Sequence, residues 1–380
     1  MRRLLSLILL FTFTRAVQPA GAETGIVSPY AAIGGAVHKG SEGLHQKQVD
    51  SKTYRELMER KRRSIFRIIS WNVQTFGKIK PEREAAFEML GAMFSSNRSA
   101  KILALQEVAN DTGLGKFGDL LPGGKERWSG TFQNTNDSQD NGFFTQKSVT
   151  VDCEEFLFAR EDEDGRWRRR PELQKHPARA AHMRVGDFDF TLITLHLTFA
   201  AGETDKSGEE LRNIFRWLED YFDNPANDPD VILAGDFNMT TQKGKGDSSS
   251  KKPVLEDIIN DFPTFARMYD SNGKHVPRPT ELISLVDVPT SRYKGSPRNN
   301  YDHFILSGDV FYEEFAHGSA GPIPSDFIEA AEKAHNIYVS DHLPISAGFQ
   351  STGAGNDGEA IKTDQNGPTS SRSCWKRGRS

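Results

Sequence analysis

The chain has 380 residues, in which 48 lysines and arginines stand against 52 aspartates and glutamates and give a formal net charge of −4. With 36% hydrophobic and 10% aromatic residues there is enough apolar material for one large domain or two ordinary ones, which excludes a chain disordered throughout. The two cysteines exclude a disulfide-rich scaffold and a four-thiolate zinc site, and the negative charge excludes a generally basic coat for DNA.

The N-terminal segment has the pattern of a secretion signal. Arg2 and Arg3 precede an apolar run over residues 4–13, and Ala20-Gly21-Ala22 has the small-x-small form of a signal-peptidase site. The apolar run is short for an uncleaved membrane anchor. We therefore expect residues 1–22 to be a signal peptide and the protein to be secreted or periplasmic. Removing this segment takes away three arginines and changes the net charge from −4 to −7.

The rest of the chain divides into a leader, a folded domain and a tail. Residues 23–63 contain few apolar repeats beyond a short helix predicted over 54–62, and residues 351–380 are polar and predicted to be flexible. Because Cys374 lies in that tail, a bond between it and Cys153 is left open. We expect residues 64–350 to form a single α/β domain.

Strand-like and helix-like segments alternate within this domain. Short β-branched or apolar runs predict strands, in chain order, at residues 66–70, 102–105, 142–145, 188–197, 231–234, 301–306 and 343–349. Helical spacing of apolar residues predicts helices at residues 82–94, 209–221, 254–259 and 327–335. The mixture predicts sheets that are covered by helices.

Polar residues follow or end several of these apolar strands. The segments are Trp71-Asn72-Val73, Leu105-Gln106-Glu107-Val108, Thr194-Leu195-His196-Leu197, Gly235-Asp236-Phe237-Asn238, Tyr301-Asp302-His303 and Ser340-Asp341-His342. Strand ends that meet at one edge would gather these carboxylates, amides and imidazoles in one cleft. An oxygen-rich cluster of this kind suits a hard cation such as Mg²⁺, Mn²⁺ or Ca²⁺ better than zinc.

In this order, the six segments resemble the endonuclease/exonuclease/phosphatase superfamily, and most closely its secreted deoxyribonuclease I type. The resemblance spans about residues 65–349. It implies a four-layer α/β/β/α sandwich built as a single domain.

The resemblance also implies a role for each matching residue. Glu107 would be the main ligand of a divalent metal ion, with Asn72 and Asp341 in support; the ion would be Mg²⁺ or Mn²⁺, with Ca²⁺ as a structural alternative. His342, oriented by Asp302, would be the general base that activates water.

The remaining motif residues would act on the phosphate. His196 would bind or protonate it, and Asp236 and Asn238 would position the water and the phosphate oxygens. Hydrolysis of a phosphodiester calls independently for a base, a balancing positive charge and a proton donor.

Two basic segments are candidates for substrate binding. His176 stands where the family often has an arginine or lysine that holds phosphate, so the phosphate clamp departs from the family pattern at this position. A run of basic residues follows the acidic residues 161–164 and Gly165, and we predict a hairpin whose returning strand offers Arg166, Arg168 and Arg169 to phosphates. The alternative is a hairpin whose opposite charges neutralise each other.

We therefore expect a secreted, divalent-metal-dependent endonuclease that hydrolyses DNA, with RNA as a further possible substrate and with no stable membrane association. One alternative keeps the chemistry but acts on a phospholipid or sphingomyelin headgroup. A second alternative is a catalytically silent binding protein of the same fold.

Overall fold

The structure is a computed structural model. It describes residues 65–76, 91, 99–108, 117–131, 139–161, 163, 167–170, 172–199, 206–241, 254–293, 296–336 and 338–351. The expected signal peptide and leader lie outside the described residues, as do the predicted helix at 82–94 apart from Gly91 and the tail beyond Ser351. The domain boundaries therefore remain predictions.

All seven predicted strands are present, and three predicted helices lie in the described part of the chain. The strands are Ile65–Phe76 (β1), Ala100–Val108 (β2), Trp128–Thr131 (β3), Asp140–Gln146 (β4), Thr150–Phe156 (β5), Ala159–Glu161 (β6), Trp167–Arg169 (β7), Arg179–Val185 (β8), Phe188–His196 (β9), Val231–Asp236 (β10), Met268–Tyr269 (β11), His275–Val276 (β12), Leu282–Ser284 (β13), Arg292–Tyr293 (β14), Ser296–Pro297 (β15), Asp302–Ser307 (β16), Gly321–Pro322 (β17) and Ile345–Gln350 (β18). The helices are Gly124–Arg127 (α1), Lys206–Phe222 (α2), Leu255–Asn260 (α3), Gly308–Glu313 (α4) and Ser325–His335 (α5).

The strands form two six-stranded sheets and three small hairpins. The first sheet has the order β17-β18-β1-β2-β4-β3, and the second has the order β13-β16-β10-β9-β8-β5. Both sheets are mixed, because β1 runs parallel to β2 and antiparallel to β18, while β10 runs parallel to β9 and antiparallel to β16.

Three apolar clusters separate four layers. In β2 the side chains alternate: Ile102 belongs to the cluster between the two sheets, and Leu103 to the cluster on the outer face of the first sheet. Such alternation follows from the two-residue period of a strand. Helix α5 covers that outer face through Ile328, and α2 covers the outer face of the second sheet through Leu211 and Phe215. The predicted α/β/β/α sandwich is confirmed.

Helix α2 covers the second sheet because its apolar residues recur at helical spacing. Leu211, Ile214, Phe215 and Leu218 are all buried along one face, and each such side chain contributes roughly 1.5–3 kcal/mol relative to an exposed position. Among the described residues, no helix is both long enough and apolar enough to cross a membrane.

The sequence reading did not predict strands β5 and β8. In β5 the edge-strand sequence is mostly polar, and β8 buries Arg179 and His182 where a core strand usually has aliphatic residues. Arg179 forms an ion pair with Glu154 of the neighbouring strand. Cys153 in β5 is disulfide-bonded, and the chain's second cysteine, Cys374, lies outside the described residues.

Candidate active site at one edge of the two sheets

The two sheets bring the motif residues to a common edge. Strands β1, β2, β9 and β10 end there, whereas the antiparallel strands β16 and β18 begin there. The residues gathered at this edge are Asn72, Glu107, His196, Asp236, Asn238, Asp302, Asp341 and His342. Gly235 is required in this arrangement because a Cβ at that position would overlap the carbonyl oxygen of Leu195.

Asp236 lies at the centre of this group. Its Oδ2 accepts a hydrogen bond of 3.0 Å from Nδ2 of Asn72 and lies 3.7 Å from Nε2 of His196 and 3.5 Å from Nε2 of His342. Its Oδ1 accepts the backbone amide of Asn238 at 2.9 Å. Burial raises the pKa of Asp236, so a positive charge close to this carboxylate would favour its ionised form.

Glu107 presents a second carboxylate from the first sheet. Its φ of 58° lies in the left-handed region, and the β1–β2 register shifts beside it, so that a bulge turns the side chain into the cleft. The carboxylate accepts hydrogen bonds from Nδ2 of Asn72 at 3.0 Å and from the amide and hydroxyl of Thr75 at 3.0 and 3.1 Å. Burial alone would raise the pKa of Glu107, but the charge of His196 and these hydrogen bonds together lower it.

His342 and Asp302 form a buried pair. Nδ1 of His342 lies 2.8 Å from Oδ2 of Asp302, which leaves Nε2 directed towards Asp236. Burial disfavours the charged imidazole, but the negative charges of Asp302 and Asp236 outweigh it and raise the pKa of His342. These two carboxylates therefore favour the protonated imidazole.

Thr290 links the backbone segments that carry Asp302 and His342. Its hydroxyl oxygen accepts the backbone amides of Tyr301 and Asp302 at 3.1 and 2.9 Å, and its carbonyl oxygen accepts the amide of Leu343 at 2.7 Å. The residue is fully buried. A displacement of Thr290 would therefore move the carboxylate and the imidazole relative to each other.

Arg292 fixes the turn that carries His342. Its guanidinium donates to both carboxylate oxygens of Glu332 at 3.0 and 2.9 Å and to the carbonyl oxygen of Ser340 at 3.1 Å. Its backbone amide donates to the carbonyl oxygen of Asp341 at 2.6 Å. The sequence reading missed Thr290, Arg292 and Glu332, because their partners lie far along the chain and no local pattern marks them.

His196 stacks on His176, with ring centroids 4.8 Å apart and an angle of 13° between the ring planes. Glu210 of α2 holds the two chain segments that carry these histidines. Its carboxylate accepts the amide of Lys175 at 2.8 Å and the amide and hydroxyl of Thr198 at 2.7 Å each. The structure therefore brings His176 into the site. The sequence reading missed Glu210, which looks like one of several acidic residues in α2.

The two asparagines are placed mainly as hydrogen-bond donors. Asn72 directs its amide nitrogen to the two carboxylates, while its oxygen accepts the amide of Gln74 at 2.9 Å. Asn238, with a φ of 50°, donates from Nδ2 to the carbonyl oxygen of Leu197 at 2.8 Å. The predicted role of Asn72 as a metal ligand would require its oxygen to change partner.

The basic run lies on a hairpin, as the sequence predicted. Strands β6 and β7 pair antiparallel, with Arg160 opposite Arg168, and the Arg168 side chain is exposed. Arg166 and the side chain of Arg169 lie outside the described residues. The hairpin follows β5, which is two strands away from β9 in the second sheet, or about 10 Å at the usual strand spacing.

The donor atoms at this edge fit a hard divalent cation. Ligand atoms of Asp236, Asp302 and His342 all lie within 4.8 Å of one another, and Asn72 links Glu107 to this group. Among the described residues, Oδ1 of Asp302 and Oδ1 of Asp341 are buried and accept no hydrogen bond. Buried oxygens of this kind are stabilised by a cation.

No protein-family model matches the sequence, and no curated protein matches it either. The chain is similar to the solved structure of D. rerio TDP2 complexed with a single-strand DNA product, with 17% identity over 76% of this chain and 99% of that one and a TM-score of 0.50. The human Nocturnin catalytic domain with a bound sulfate anion also matches, with 17% identity, 76% and 95% coverage and a TM-score of 0.46. An endonuclease/exonuclease/phosphatase family protein from Bacteroides thetaiotaomicron matches with 14% identity, 75% and 97% coverage and a TM-score of 0.48.

At these identities the likeness concerns the fold alone, and of these three structures D. rerio TDP2 is the one whose TM-score reaches 0.50. That likeness agrees with the two packed mixed sheets. The chain therefore has the same fold as D. rerio TDP2, a sandwich of two sheets covered by helices, as the resemblance of the six sequence motifs implied.

Proposed function

We propose that the chain is a divalent-metal-dependent phosphodiesterase that hydrolyses DNA as an endonuclease. The observation that carries this proposal is the buried pair of His342 and Asp302, whose free ring nitrogen faces Asp236 at 3.5 Å in a cleft with Glu107. A base, a group of carboxylates and a second imidazole lie together at this edge, which is the set that hydrolysis of a phosphodiester needs.

Asp302 would fix the tautomer of His342. With Nδ1 donating to the carboxylate, Nε2 is the atom that can accept a proton from water. Because neighbouring carboxylates raise the pKa of His342 and favour its protonated form, positive charge bound beside them would favour the neutral ring that can accept a proton. Binding of a cation and activation of the base are therefore coupled in this proposal.

Glu107 and Asp341 would hold Mg²⁺ or Mn²⁺, with Asn72 in support; Ca²⁺ is the structural alternative. Such an ion supplies positive charge that neutralises the phosphate as the scissile bond breaks. His196 would donate to a phosphate oxygen or to the leaving oxygen. Asp236 and Asn238 would hold this imidazole and the end of β9 in place.

DNA is the preferred substrate because the hairpin next to β5 offers the exposed Arg168 to a polyanion. The similar D. rerio TDP2 was solved with a single-strand DNA product, which supports a nucleic acid as the class of substrate. RNA is the further possible substrate.

We also propose that residues 1–22 direct the chain out of the cytoplasm. A chain with residues 1–22 deleted that is still exported would contradict this.

The test compares plasmid DNA and sphingomyelin as substrates of the full chain, each with Mg²⁺ and with excess chelator, beside a His342→Ala control. We expect nicking of the plasmid that disappears with chelator and in the variant. Turnover of sphingomyelin alone would favour the lipid phosphodiesterase. Absence of turnover on both substrates would favour the catalytically silent binding protein.

A further inference from the structure

An aromatic side chain that the proposed mechanism does not use lies at the edge of the active site. Phe199 is 55% exposed, although it follows His196, the last residue of the buried strand β9, by only three positions. A fully extended chain spans about 3.6 Å per residue, so the Cα atoms of these two residues are at most about 11 Å apart. A substrate phosphate bound by His196 would therefore bring its neighbouring nucleotides within reach of Phe199.

The backbone that leads to Phe199 is anchored to the second sheet and to α2. The amide of Leu197 donates to the carbonyl oxygen of Asp236 at 2.9 Å. The amide and the hydroxyl of Thr198 donate to the carboxylate of Glu210 at 2.7 Å each. The two residues before Phe199 therefore have fixed positions, and the fold sets the distance between Phe199 and the active site.

Tyr301 packs against the ring of Phe199. The two ring centroids are 6.3 Å apart, and the ring planes make an angle of 57°. Tyr301 is buried, its carbonyl oxygen accepts the amide of Phe237 at 2.8 Å, and it directly precedes Asp302. Phe199 is therefore in contact with the segment that orients His342, while more than half of its own surface is open to solvent.

We propose that Phe199 stacks on an unpaired base within about three nucleotides of the scissile phosphate, which makes single-stranded rather than duplex DNA the substrate of this site. This inference deepens the proposed nuclease function and rests on it. The span of about three nucleotides follows from the reach of about 11 Å and a rise of about 3.4 Å per nucleotide along a strand. In a duplex each base is paired and stacked between its neighbours, whereas an unpaired base presents its face to an aromatic side chain.

Two other roles for an exposed phenylalanine make different predictions. It could insert as an apolar wedge between the base pairs of a duplex, which would favour double-stranded substrates. It could also enter a lipid surface, but a membrane-binding segment carries several apolar side chains. Residues 200–205, which follow Phe199, include no large apolar residue. The sequence around Phe199 therefore favours a nucleic acid over a membrane.

The first experiment measures kcat and KM of the full chain on a single-stranded oligonucleotide, on its duplex form and on bis(p-nitrophenyl) phosphate, a small soluble phosphodiester. We expect the wild type to have a higher kcat/KM on the single strand than on the duplex. Phe199→Ala should raise KM for the single strand about tenfold, because stacking on one base contributes about that factor in affinity. It should leave turnover of the small phosphodiester unchanged, and Phe199→Trp should retain the low KM.

The matched control is Tyr269→Ala, which removes an aromatic side chain of similar exposure, 59%, from β11. In the partner strand β12, His275 bonds to Glu281, which directly precedes β13. Strand β13 pairs with the last three residues of β16, whereas the active site contains the first, Asp302. We therefore expect Tyr269→Ala to have the KM of the wild type.

Three outcomes of this experiment would overturn the proposal. A loss on the duplex alone would identify Phe199 as a wedge. An equal loss on all three substrates would make it a structural residue of the site. An unchanged KM for the single strand would leave it without a role in binding.

The second experiment does not depend on catalysis. It measures by fluorescence anisotropy the affinity of a labelled oligothymidylate for His342→Ala and for the double variant His342→Ala with Phe199→Ala. We expect the double variant to bind about tenfold more weakly. That difference in a chain whose wild type cleaves no DNA would support the stacking and refute the proposed hydrolysis. Equal affinities would refute the stacking, even in a chain whose wild type cleaves plasmid DNA.

Discussion

Asp302 and His342 meet across the active-site edge, with Oδ2 of the carboxylate 2.8 Å from Nδ1 of the imidazole. Because both side chains are buried, water does not compete for this hydrogen bond, and the orientation of the ring depends on the carboxylate. We expect His342→Ala to lose about 10²- to 10⁴-fold in the rate of DNA hydrolysis, as for loss of a general base.

Asp302→Asn tests the same hydrogen bond by changing the carboxylate instead of the imidazole. An amide can hold the ring in the wrong tautomer, so we expect most of the activity to be lost. The single and double variants should lose similar amounts, since the two residues act as a unit. A nearly silent Asp302→Asn would mean that another group orients His342.

Glu107 is expected to hold the catalytic metal ion. Glu107→Ala should lower the hydrolysis rate by about 10³-fold, because the ion stabilises the charge that develops on the phosphate. A calorimetric titration should show that Glu107→Ala binds Mn²⁺ more weakly than the wild type does. The matched control is Glu126→Ala, which changes an exposed glutamate of α1. Full activity of Glu107→Ala, or of the wild type in excess chelator, would refute the metal role.

Arg168 and Arg169 are expected to bind the substrate without taking part in the chemistry. Changing both to alanine should reduce the slope of log affinity against log salt by about 1 to 2. The rate on a small soluble phosphodiester should not change. Lys333→Ala, on the exposed side of α5, serves as the control for a general loss of positive charge. An unchanged slope would support the self-neutralised hairpin.

Arg292 and Glu332 are expected to be positioning residues for His342. Arg292→Ala leaves a largely buried carboxylate without its bidentate partner, and we expect a loss of about 3 kcal/mol in the free energy of unfolding in urea. The double variant Arg292→Met with Glu332→Leu should recover part of that stability. It should not recover activity, because the bond to the carbonyl oxygen of Ser340 is also lost. Recovery of both would show that the pair serves stability alone.

Glu210 is expected to keep His176 and His196 stacked. Glu210→Ala removes the acceptor of three hydrogen bonds and should lower kcat about tenfold, because misplaced catalytic groups are inefficient. Glu209→Ala, the exposed neighbour in α2, should behave as the wild type. A change in the unfolding free energy without any change in kcat would make Glu210 purely structural.

The sequence was most informative where local pattern and chemistry coincide. Strands such as β9 and β10 are buried and mostly apolar and end in His196 and Asp236, so both the strands and the polar residues at their ends could be predicted. Strands β5 and β8 could not be predicted, because an edge strand exposes polar residues and β8 buries polar groups that only its neighbours satisfy. The roles of Arg292 and Glu210 depend on partners brought together by folding.

The active-site residues are divided between the two sheets. Asn72 and Glu107 belong to the first sheet, whereas His196 and Asp236 belong to the second, and the hydrogen bond from Asn72 to Asp236 crosses between them. The proposed catalysis therefore requires the sheets to stay closely aligned, and side-chain packing and hydrogen bonds between them set that alignment. Loosened packing between the sheets would abolish the proposed activity while the secondary structure stayed intact, so we expect activity to be lost at a lower temperature than the fold.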